Sequence, residues 1–317
     1  MFFLLKEVFI LDKEQIISEV LIKCQAQGET VIVGGYIRNK LLGYDFKDVD
    51  LLTTCRPEEL KTLFPQLNWT EQGLELGITR MTYRGIQFEF SSCFKEAFKD
   101  KLEKRDFTIN QFYFDGHNLT SQSTGANDIE LKLLKASDYL QNSTTECLKN
   151  SPQAFIRAFR FVSLYELKWD ESLLTLFQNN RNSFNTVPDG RLQNEAYEIL
   201  KGKNILRSIY YYEQVGLIST NPKLEEMQDV QIPLYTQNLA ARLIYLSYLL
   251  GKQTVIEWLT LHHLSQKLIE EIQLYLPYLK TDNLKIHPKK LPFMTLLKRY
   301  QYQDDKEKIK DFLKNSR

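Results

Sequence analysis

The stretch that decides the fold is VIVGGYIRNKLLGYDFKDVDLLTT, residues 31–54. It begins with a β-branched apolar run that ends in Gly34 and Gly35, continues at helical spacing, and ends in a second strand-like run. In that second run Asp48 and Asp50 stand two positions apart, so both carboxylates point to one face of a strand. Like charges side by side are costly unless a cation lies between them. The stretch therefore predicts strand, turn, helix and strand around a cation site.

The carboxylate pair suits a hard divalent cation, because Mg²⁺ prefers oxygen ligands and keeps coordination positions for substrate phosphates. Glu89 is a candidate third acid, since Phe88 and Phe90 would face the core and leave Glu89 on the open side of its strand. The alternative is an edge strand whose charges only deter aggregation. The upstream glycines favour a nucleotide site, because they let the backbone approach a phosphate and aim a helix N-terminus at it.

Composition sets wide limits. The chain has 317 residues, of which 43% are hydrophobic and 26% charged, with a net charge of +1. This length allows two or three domains, and this charge means that any polyanion site must come from local clustering. The four cysteines are scattered without zinc spacing, which favours free thiols in a reducing compartment. The sequence has neither an apolar run of about 18 residues nor a signal-peptide pattern, so we expect no membrane association and a cytoplasmic location.

The spacing of apolar residues changes along the chain. Short strands alternate with helices up to about residue 120, including a hairpin that turns at Arg84 and Gly85, and helical spacing dominates from about residue 130. We therefore predict an α+β protein, with a small mixed-sheet head followed by an all-α neck and body. The predicted bounds are an N-terminal helix at 1–27, a head at 28–136, a helical neck at 137–218, and a helical body and tail, which we expect to bind RNA, at 219–317.

Two blocks carry a family signature. Residues 31–64 resemble the catalytic motif of class II tRNA nucleotidyltransferases (CCA-adding enzymes) and bacterial poly(A) polymerases, and KRDFTINQFYFDG at 104–116 resembles that family's RRDFTIN motif. The resemblance implies a DNA polymerase beta-like head. It also implies two-metal Mg²⁺ phosphoryl transfer from an NTP to an RNA 3′-OH. The implied partners are ATP, with CTP as a second candidate, and an RNA 3′ end, tRNA first among RNAs. We expect no obligate protein partner.

The resemblance also implies roles for single residues. Asp48 and Asp50 match the metal-binding aspartates, and together with Glu89 they match the catalytic acids. Gly125 and Asp128 match a flexible loop motif. The residues that match nucleotide-binding positions are Gly34, Gly35, Arg38, Arg105, Asp106, Asn110, Ser151, Ala154, Arg157 and Arg160.

One motif departs from the family pattern. Family members carry EDPxR before a helix with an RAxRF pattern, and its Asp and Arg read the edge of the incoming base. In the aligned segment 150–154, Asn150 and Ser151 replace the acids and Ala154 replaces the arginine. A site built of paired donors and acceptors discriminates strongly, so we expect changed or relaxed base selection. Asn150, Ser151 and Gln153 are the polar candidates for that role.

The C-terminal end is locally basic and contains Tyr300 and Tyr302. We expect either phosphate binding and base stacking there or a solvated basic face. Eleven Lys and Arg residues stand against five acids in residues 280–317, namely Lys280, Lys285, Lys289, Lys290, Lys298, Arg299, Lys306, Lys308, Lys310, Lys314 and Arg317.

Other functions stay open at this point. A poly(A) polymerase fits the same residues, as does a transferase or toxin repurposed to modify tRNA. An RNA-binding pseudo-enzyme is the non-enzymatic alternative. Its weakness is that a dead site has no physical reason to keep mutually repelling carboxylates clustered.

Overall fold

The computed structural model describes residues 13–65, 70–71, 77–142, 152–279 and 290–315. The chain divides into two compact units, residues 1–143 and 144–317. The first is a mixed α/β unit and the second is built of helices, which confirms the predicted α+β class. The finer bounds at residues 27, 136 and 218 stay a prediction. Within the described ranges no helix combines the length and the apolar character needed to cross a bilayer.

A seven-stranded sheet forms the centre of the first unit. The strands β1 to β7 span Thr30–Val33, Asp48–Thr53, Thr70–Glu71, Ile78–Tyr83, Ile86–Ser92, Phe112–Phe114 and Leu119–Ser121. Their spatial order is β3-β4-β5-β2-β1-β6-β7, in which β2 and β5 run parallel and the other pairs antiparallel. The helices α1 to α6 span Lys13–Gln25, Gly35–Leu42, Pro57–Leu63, Lys95–Glu103, Gly125–Glu130 and Asp138–Asn142. A 3₁₀ turn at Thr108–Asn110 and a short strand β8 at Leu133–Leu134 complete the unit.

The β4–β5 hairpin turns where the sequence predicts it. Tyr83 pairs with Ile86, so the loop has two residues. Both adopt positive φ, 47° at Arg84 and 83° at Gly85. A two-residue loop with positive φ at both positions matches the right-handed twist of the flanking strands. The turn therefore fixes the register of β4 against β5.

The sheet packs on both faces, and strand alternation decides which residues face which side. On one face Ile32, Val49 and Leu51 pack with buried residues of α1. On the other face Leu52 of β2 packs with Phe98 of α4. Because Asp48 and Asp50 precede Leu52 by even steps, their carboxylates emerge on the α4 side of the sheet.

The segment expected to be a flexible loop is helical instead. Gly125 begins α5, and Asp128 is buried with its carboxylate accepting a hydrogen bond from the Thr124 hydroxyl at 2.7 Å. A Cβ on Gly125 would lie 2.4 Å from the carbonyl oxygen of Thr108. Gly125 therefore permits close packing of α5 against the Thr108 backbone. In the sequence alone, a glycine needed for packing cannot be told from a glycine in a flexible loop.

The second unit consists of ten helices within the described residues. A two-residue strand, β9 at Lys168–Trp169, and a 3₁₀ helix at Arg181–Thr186 lie among them. The helices α7 to α16 span Gln153–Leu164, Glu171–Asn179, Asp189–Ile199, Ile205–Gln214, Pro222–Met227, Leu239–Leu250, Lys252–Leu261, Gln266–Leu279, Leu291–Gln301 and Lys306–Asn315.

An aromatic core joins the first helices of the second unit. Phe155 stacks on Phe177 with ring centroids 4.0 Å apart, and Phe159 stacks on Tyr212 at 3.6 Å. Phe184 meets Phe155, Phe159 and Tyr212 edge to face. Offset-stacked and edge-to-face pairs each add to the free energy gained by burial. This cluster holds α7 in a fixed orientation.

The base-stacking alternative for the basic tail is wrong for Tyr300. Tyr300 is fully buried, and its ring packs against Tyr235 at 5.2 Å and Tyr245 at 5.4 Å. Lys298 is 2% exposed, which removes it from the basic face. The ammonium of Lys298 donates to Gln301 Oε1 at 2.6 Å. The buried face of α15 cannot be recognised from the local sequence, because its packing partners lie far away along the chain.

His262 caps the C-terminal end of α13 inside the core. Its Nδ1 bonds the Trp258 carbonyl at 2.7 Å and its Nε2 bonds the Tyr212 hydroxyl at 2.8 Å. A carbonyl only accepts, so Nδ1 carries the proton and Tyr212 donates to Nε2. Burial lowers the pKa of His262 from 6.5 to about 4.

We expect acid to destabilise the fold through His262. The folded pKa lies below the unfolded one, so the contribution of His262 to stability is full above pH 6.5 and is lost as pH falls toward 4. Urea denaturation at pH 7.5 and 4.5 should show a pH-dependent loss about 2–3 kcal/mol smaller in His262→Gln than in the wild type. His263→Asn is the control, because His263 is exposed and lies 3.8 Å from Asp189. Equal losses in all three proteins would contradict this prediction.

Candidate active site

Asp48 and Asp50 lie at the start of β2 with their carboxylates on one face, as the sequence predicts. Asp48 is exposed, Asp50 is partly buried, and Val49 between them is fully buried. In the parallel β2–β5 pair Asp48 lies opposite Gln87 and Asp50 lies opposite Glu89. The sheet register therefore places the three predicted acids on two adjacent strands.

A glycine turn abuts the Asp50 carboxylate. Gly34 has φ 71° and ψ −131°, a conformation that costs a residue with a side chain several kcal/mol. A Cβ built on Gly34 would lie 2.9 Å from Asp50 Oδ2. The Gly35 N–H, at the start of α2, donates to the same oxygen at 3.4 Å. The two glycines thus leave a cradle where backbone N–H groups and the carboxylate meet.

Electrostatic repulsion concentrates on Asp50. Burial, followed by the charges of Asp48 and Glu89, raises the pKa of Asp50 from 3.8 to about 6. The Gly35 N–H and the Arg105 guanidinium act in the opposite direction but do not cancel the effect. A carboxylate with this surplus of negative charge around it fits a bound cation, whose charge would restore the ionised form.

Glu89 occupies the predicted place but is engaged by a cation of the protein. Arg80, opposite Glu89 on β4, donates from Nε to Glu89 Oε2 at 2.5 Å. Counting outward from the two-residue turn would have placed Arg80 opposite Glu89 from sequence. Among the described residues, no three His, Cys, Asp or Glu side chains are arranged to hold a metal. Asp48 and Asp50 are therefore the pair fit to bind Mg²⁺, which needs only one or two carboxylates when substrate phosphates supply further ligands.

The KRDFTIN block folds onto the glycine turn through a chain of side chains. Arg38 of α2 is 6% exposed, and its Nη1 donates to Asn110 Oδ1 at 2.8 Å. Asn110 Nδ2 in turn donates to Asp106 Oδ1 at 2.8 Å. Arg38 also donates to Asn39 Oδ1 at 2.8 Å from Nη2, a contact that sequence reasoning missed. Three predicted nucleotide-binding residues therefore form one network that fixes their orientation.

The packing of this block follows its alternation. Phe107 and Ile109 are fully buried. The Phe107 backbone N–H donates to Asp106 Oδ1 at 3.0 Å. Arg105 lies close enough to Asp50 to lower its pKa. The block therefore contributes a cation beside the carboxylate pair and buries its apolar side chains beneath.

In the second unit, α7 presents one narrow polar face. Gln153 is exposed, Arg157 and Arg160 are partly exposed, and the spacing of these three residues puts them on one side of the helix. Ala154 is 1% exposed, and its methyl group offers only van der Waals contact. The prediction for Ser151 lies outside the described residues.

A buried carboxylate holds Arg160. Glu195 of α9 is 2% exposed and lies 3.1 Å from Arg160 Nη1 and 2.8 Å from Arg191 Nη2. The Arg160 guanidinium also lies 5.0 Å from the Phe161 ring centroid. The buried carboxylate therefore connects α7 to α9 through Arg160.

We expect Asp50→Asn to stabilise the metal-free protein. The folded pKa of Asp50 is raised, so the ionised carboxylate costs stability above about pH 6 and the cost fades as pH falls toward 3.8. At pH 7.5 with a chelator, urea denaturation should show a gain of up to about 3 kcal/mol that shrinks at pH 5. Mg²⁺ should stabilise the wild type and not Asp50→Asn. A stability loss at pH 7.5 in the variant would contradict this reading.

Several known proteins are similar to this chain. The family described as the Poly A polymerase head domain matches residues 30–92. A CCA-adding enzyme of Streptococcus mutans is 25% identical over 80% of this chain and 69% of its own length. A CC-adding tRNA nucleotidyltransferase of Shouchella clausii is 26% identical over 62% of this chain and 51% of its own. The chain therefore spans only part of each relative.

The same fold occurs in a solved structure. The Bacillus stearothermophilus CCA-adding enzyme in complex with CTP superposes with a TM-score of 0.76 over 94% of this chain and 81% of that one, at 18% identity. The family match lies on β1, β2 and β5, the strands that carry the glycine turn and the acids. In sequence the chain is therefore similar to CCA-adding enzymes, in fold it is similar to one of their solved structures, and its segment from β1 to β5 matches the Poly A polymerase head domain.

Proposed function

We propose that this protein is a template-independent nucleotidyltransferase that adds nucleotides from NTP to an RNA 3′-OH, with tRNA as the acceptor. The observation that carries the proposal is the Asp48–Asp50 pair abutting the Gly34–Gly35 turn at the start of α2. A helix N-terminus and a glycine turn suit a triphosphate, and the carboxylates suit the divalent cation that accompanies it.

Asp48 and Asp50 are the residues that would hold Mg²⁺, which when bound would neutralise the triphosphate and make the attacking hydroxyl more acidic. The N–H groups of the first turn of α2 would bind phosphate oxygens, since Gly34 brings no side chain between the backbone and the substrate. Arg105 stabilises the negative charge that develops during transfer. The Asp106–Asn110 pair, oriented by hydrogen bonding, faces the ribose. These residues position the substrate and stabilise charge.

The names of the relatives support nucleotide and tRNA partners but differ in what is added. One relative is a CCA-adding enzyme and another, of similar identity, is a CC-adding tRNA nucleotidyltransferase. Their partners come to this chain as proposals: ATP, CTP and a tRNA 3′ end. Cytoplasm is the compartment that we propose, because tRNA and NTPs are available there.

Base selection is the part of the function that we propose to have changed. The α7 position that carries an arginine in the family is Ala154 here, buried and without polar atoms. Gln153 is the exposed polar residue one turn before Arg157. A glutamine amide donates and accepts, so it can pair with the edge of either adenine or cytosine. An amide that rotates between the two discriminates less than a fixed Asp and Arg pair.

Poly(A) addition is the second candidate, because the matching family description covers poly(A) polymerases. A non-enzymatic RNA-binding protein fits less well. The raised pKa of Asp50 means that the clustered acids destabilise the metal-free fold, a cost that binding alone does not require.

We expect Mg²⁺-dependent release of pyrophosphate when the protein meets tRNA lacking its 3′ end and each of the four NTPs. Asp48→Ala/Asp50→Ala should reduce the rate at least about 10³-fold, because these residues anchor the phosphoryl-transfer site. Glu96→Gln, on the exposed surface of α4, is the control and should retain the rate. Unchanged activity in the double variant would rule out the mechanism.

Sequencing of the RNA 3′ ends after incubation with mixed NTPs should separate the candidates. Clean CCA addition would refute altered base selection, a run of A would favour poly(A) addition, and mixed ends would support relaxed selection. Gln153→Ala should shift the ratio of incorporated nucleotides by about fivefold, the effect of one hydrogen bond, without abolishing pyrophosphate release. Gln266→Ala, exposed at the start of α14, is the matched control.

A further inference from the structure

The first unit holds a cavity of about 570 Å³ that the proposed reaction does not use. Its apolar lining comes from Val31 of β1, Tyr113 of β6, and Phe98 and Leu102 of α4. Small-molecule sites have volumes of about 300–1,000 Å³. The cavity is therefore large enough for a small organic ligand.

The cavity lies on the same face of the sheet as the carboxylate pair but toward the other end of β1. Val31 and Val33 pack with Leu52 on one face, and Asp50 shares that face because it precedes Leu52 by two positions. Val33 lies opposite Asp50, whereas Thr30 and Val31 line the cavity. Two to three strand residues, roughly 7–10 Å, separate the two places. The cavity is thus a separate site.

Hydrogen-bond acceptors dominate the polar lining. Glu29 and Asp115 contribute carboxylates. Gln25 Nε2 donates to the carbonyl oxygens of Thr30 at 3.0 Å and Asp115 at 2.7 Å, which leaves Oε1 as the atom that this amide presents to a ligand. Backbone N–H groups of the next turn, that of Asn118 first, lower the pKa of Asp115. The Asp115 carboxylate is therefore ionised at neutral pH.

Lys99 supplies an ammonium group at the edge of the cavity, but its exposure and a neighbouring carboxylate weaken its electrostatic effect there. Its side chain is 85% exposed, and Nζ lies 3.8 Å from Glu103 Oε1 on the same helix. Solvent and this neighbour screen the charge. Glu29 is exposed as well, so solvent also screens its charge. The lining residues carry two carboxylates against one ammonium group, and this surplus of negative charge favours a cation over phosphate.

We propose that this cavity binds a small organic cation, with an ammonium or amidinium group between Glu29 and Asp115 and an apolar body against Val31, Phe98 and Leu102. The half-exposed ring of Tyr113 adds a cation–π contact. The site requires neither the carboxylate pair nor a nucleotide, so it goes beyond the proposed transferase function.

The test uses three molecules of matched shape: 2-phenylethylamine, 2-phenylethanol and 3-phenylpropionate. Isothermal titration of the full chain at pH 7.5 and low salt should give one site for the amine, with Kd near or below about 1 mM. The alcohol should bind about tenfold more weakly and the carboxylate more weakly still. Equal binding of the three molecules, or no binding of the amine at several times about 1 mM, would overturn the proposal.

Charge variants separate this site from others. Glu29→Gln and Asp115→Asn keep the side-chain shape and should each weaken amine binding by about threefold. Lys99→Gln should tighten it by about twofold, a change of sign that general destabilisation cannot produce. Glu96→Gln on the same helix should leave the affinity unchanged.

The Asp50→Asn variant shows whether the amine binds in the cavity or at the carboxylate pair. Amine binding that survives Asp50→Asn and weakens in Asp115→Asn supports the cavity. Binding that is lost in Asp50→Asn and retained in Asp115→Asn places the amine at the carboxylate pair and refutes the proposal. Neither outcome depends on transferase activity, so it is independent of whether the proposed function holds.

Discussion

Repulsion among three carboxylates on neighbouring strands is the constraint around which the first unit is arranged. Asp48, Asp50 and Glu89 are brought together by the parallel pairing of β2 with β5. The fold compensates these charges unequally. Arg80 pairs with Glu89, whereas Asp50 accepts one weak backbone hydrogen bond and keeps a raised pKa. A cation bound beside Asp50 would favour its ionised form, so under the proposed function metal binding would also stabilise the fold.

The residues around the three carboxylates fix the geometry of the site. The close approach of Gly34 to Asp50 excludes every side chain, and α2 starts where a phosphate would benefit from its N–H groups. Arg38 connects this turn to Asn110, so the glycine turn and the KRDFTIN block move together. In such a site the rigid hydrogen-bond network sets the position of the substrate, and the acids set the charge.

Local chemistry explains which features sequence reasoning could predict. Period-two alternation identified β2 and β5, and the glycine at position 85 identified the hairpin turn, where it adopts positive φ. Long-range packing explains the failures. The burial of Tyr300 depends on Tyr235 and Tyr245, both more than 50 residues away in the sequence, and no local pattern records these contacts. The site motifs were accessible because each is a run of consecutive residues.

The clamp on Arg160 has an evolutionary consequence. Glu195 is almost fully buried and accepts from two arginines, so loss of either cation would leave a buried anion with only one arginine to compensate it and would destabilise the second unit. The first turn of α7, by contrast, carries no such obligation at Gln153. Substitutions are therefore tolerated unequally along α7: the fold allows position 153 to vary, whereas the buried carboxylate restricts position 160, two turns later.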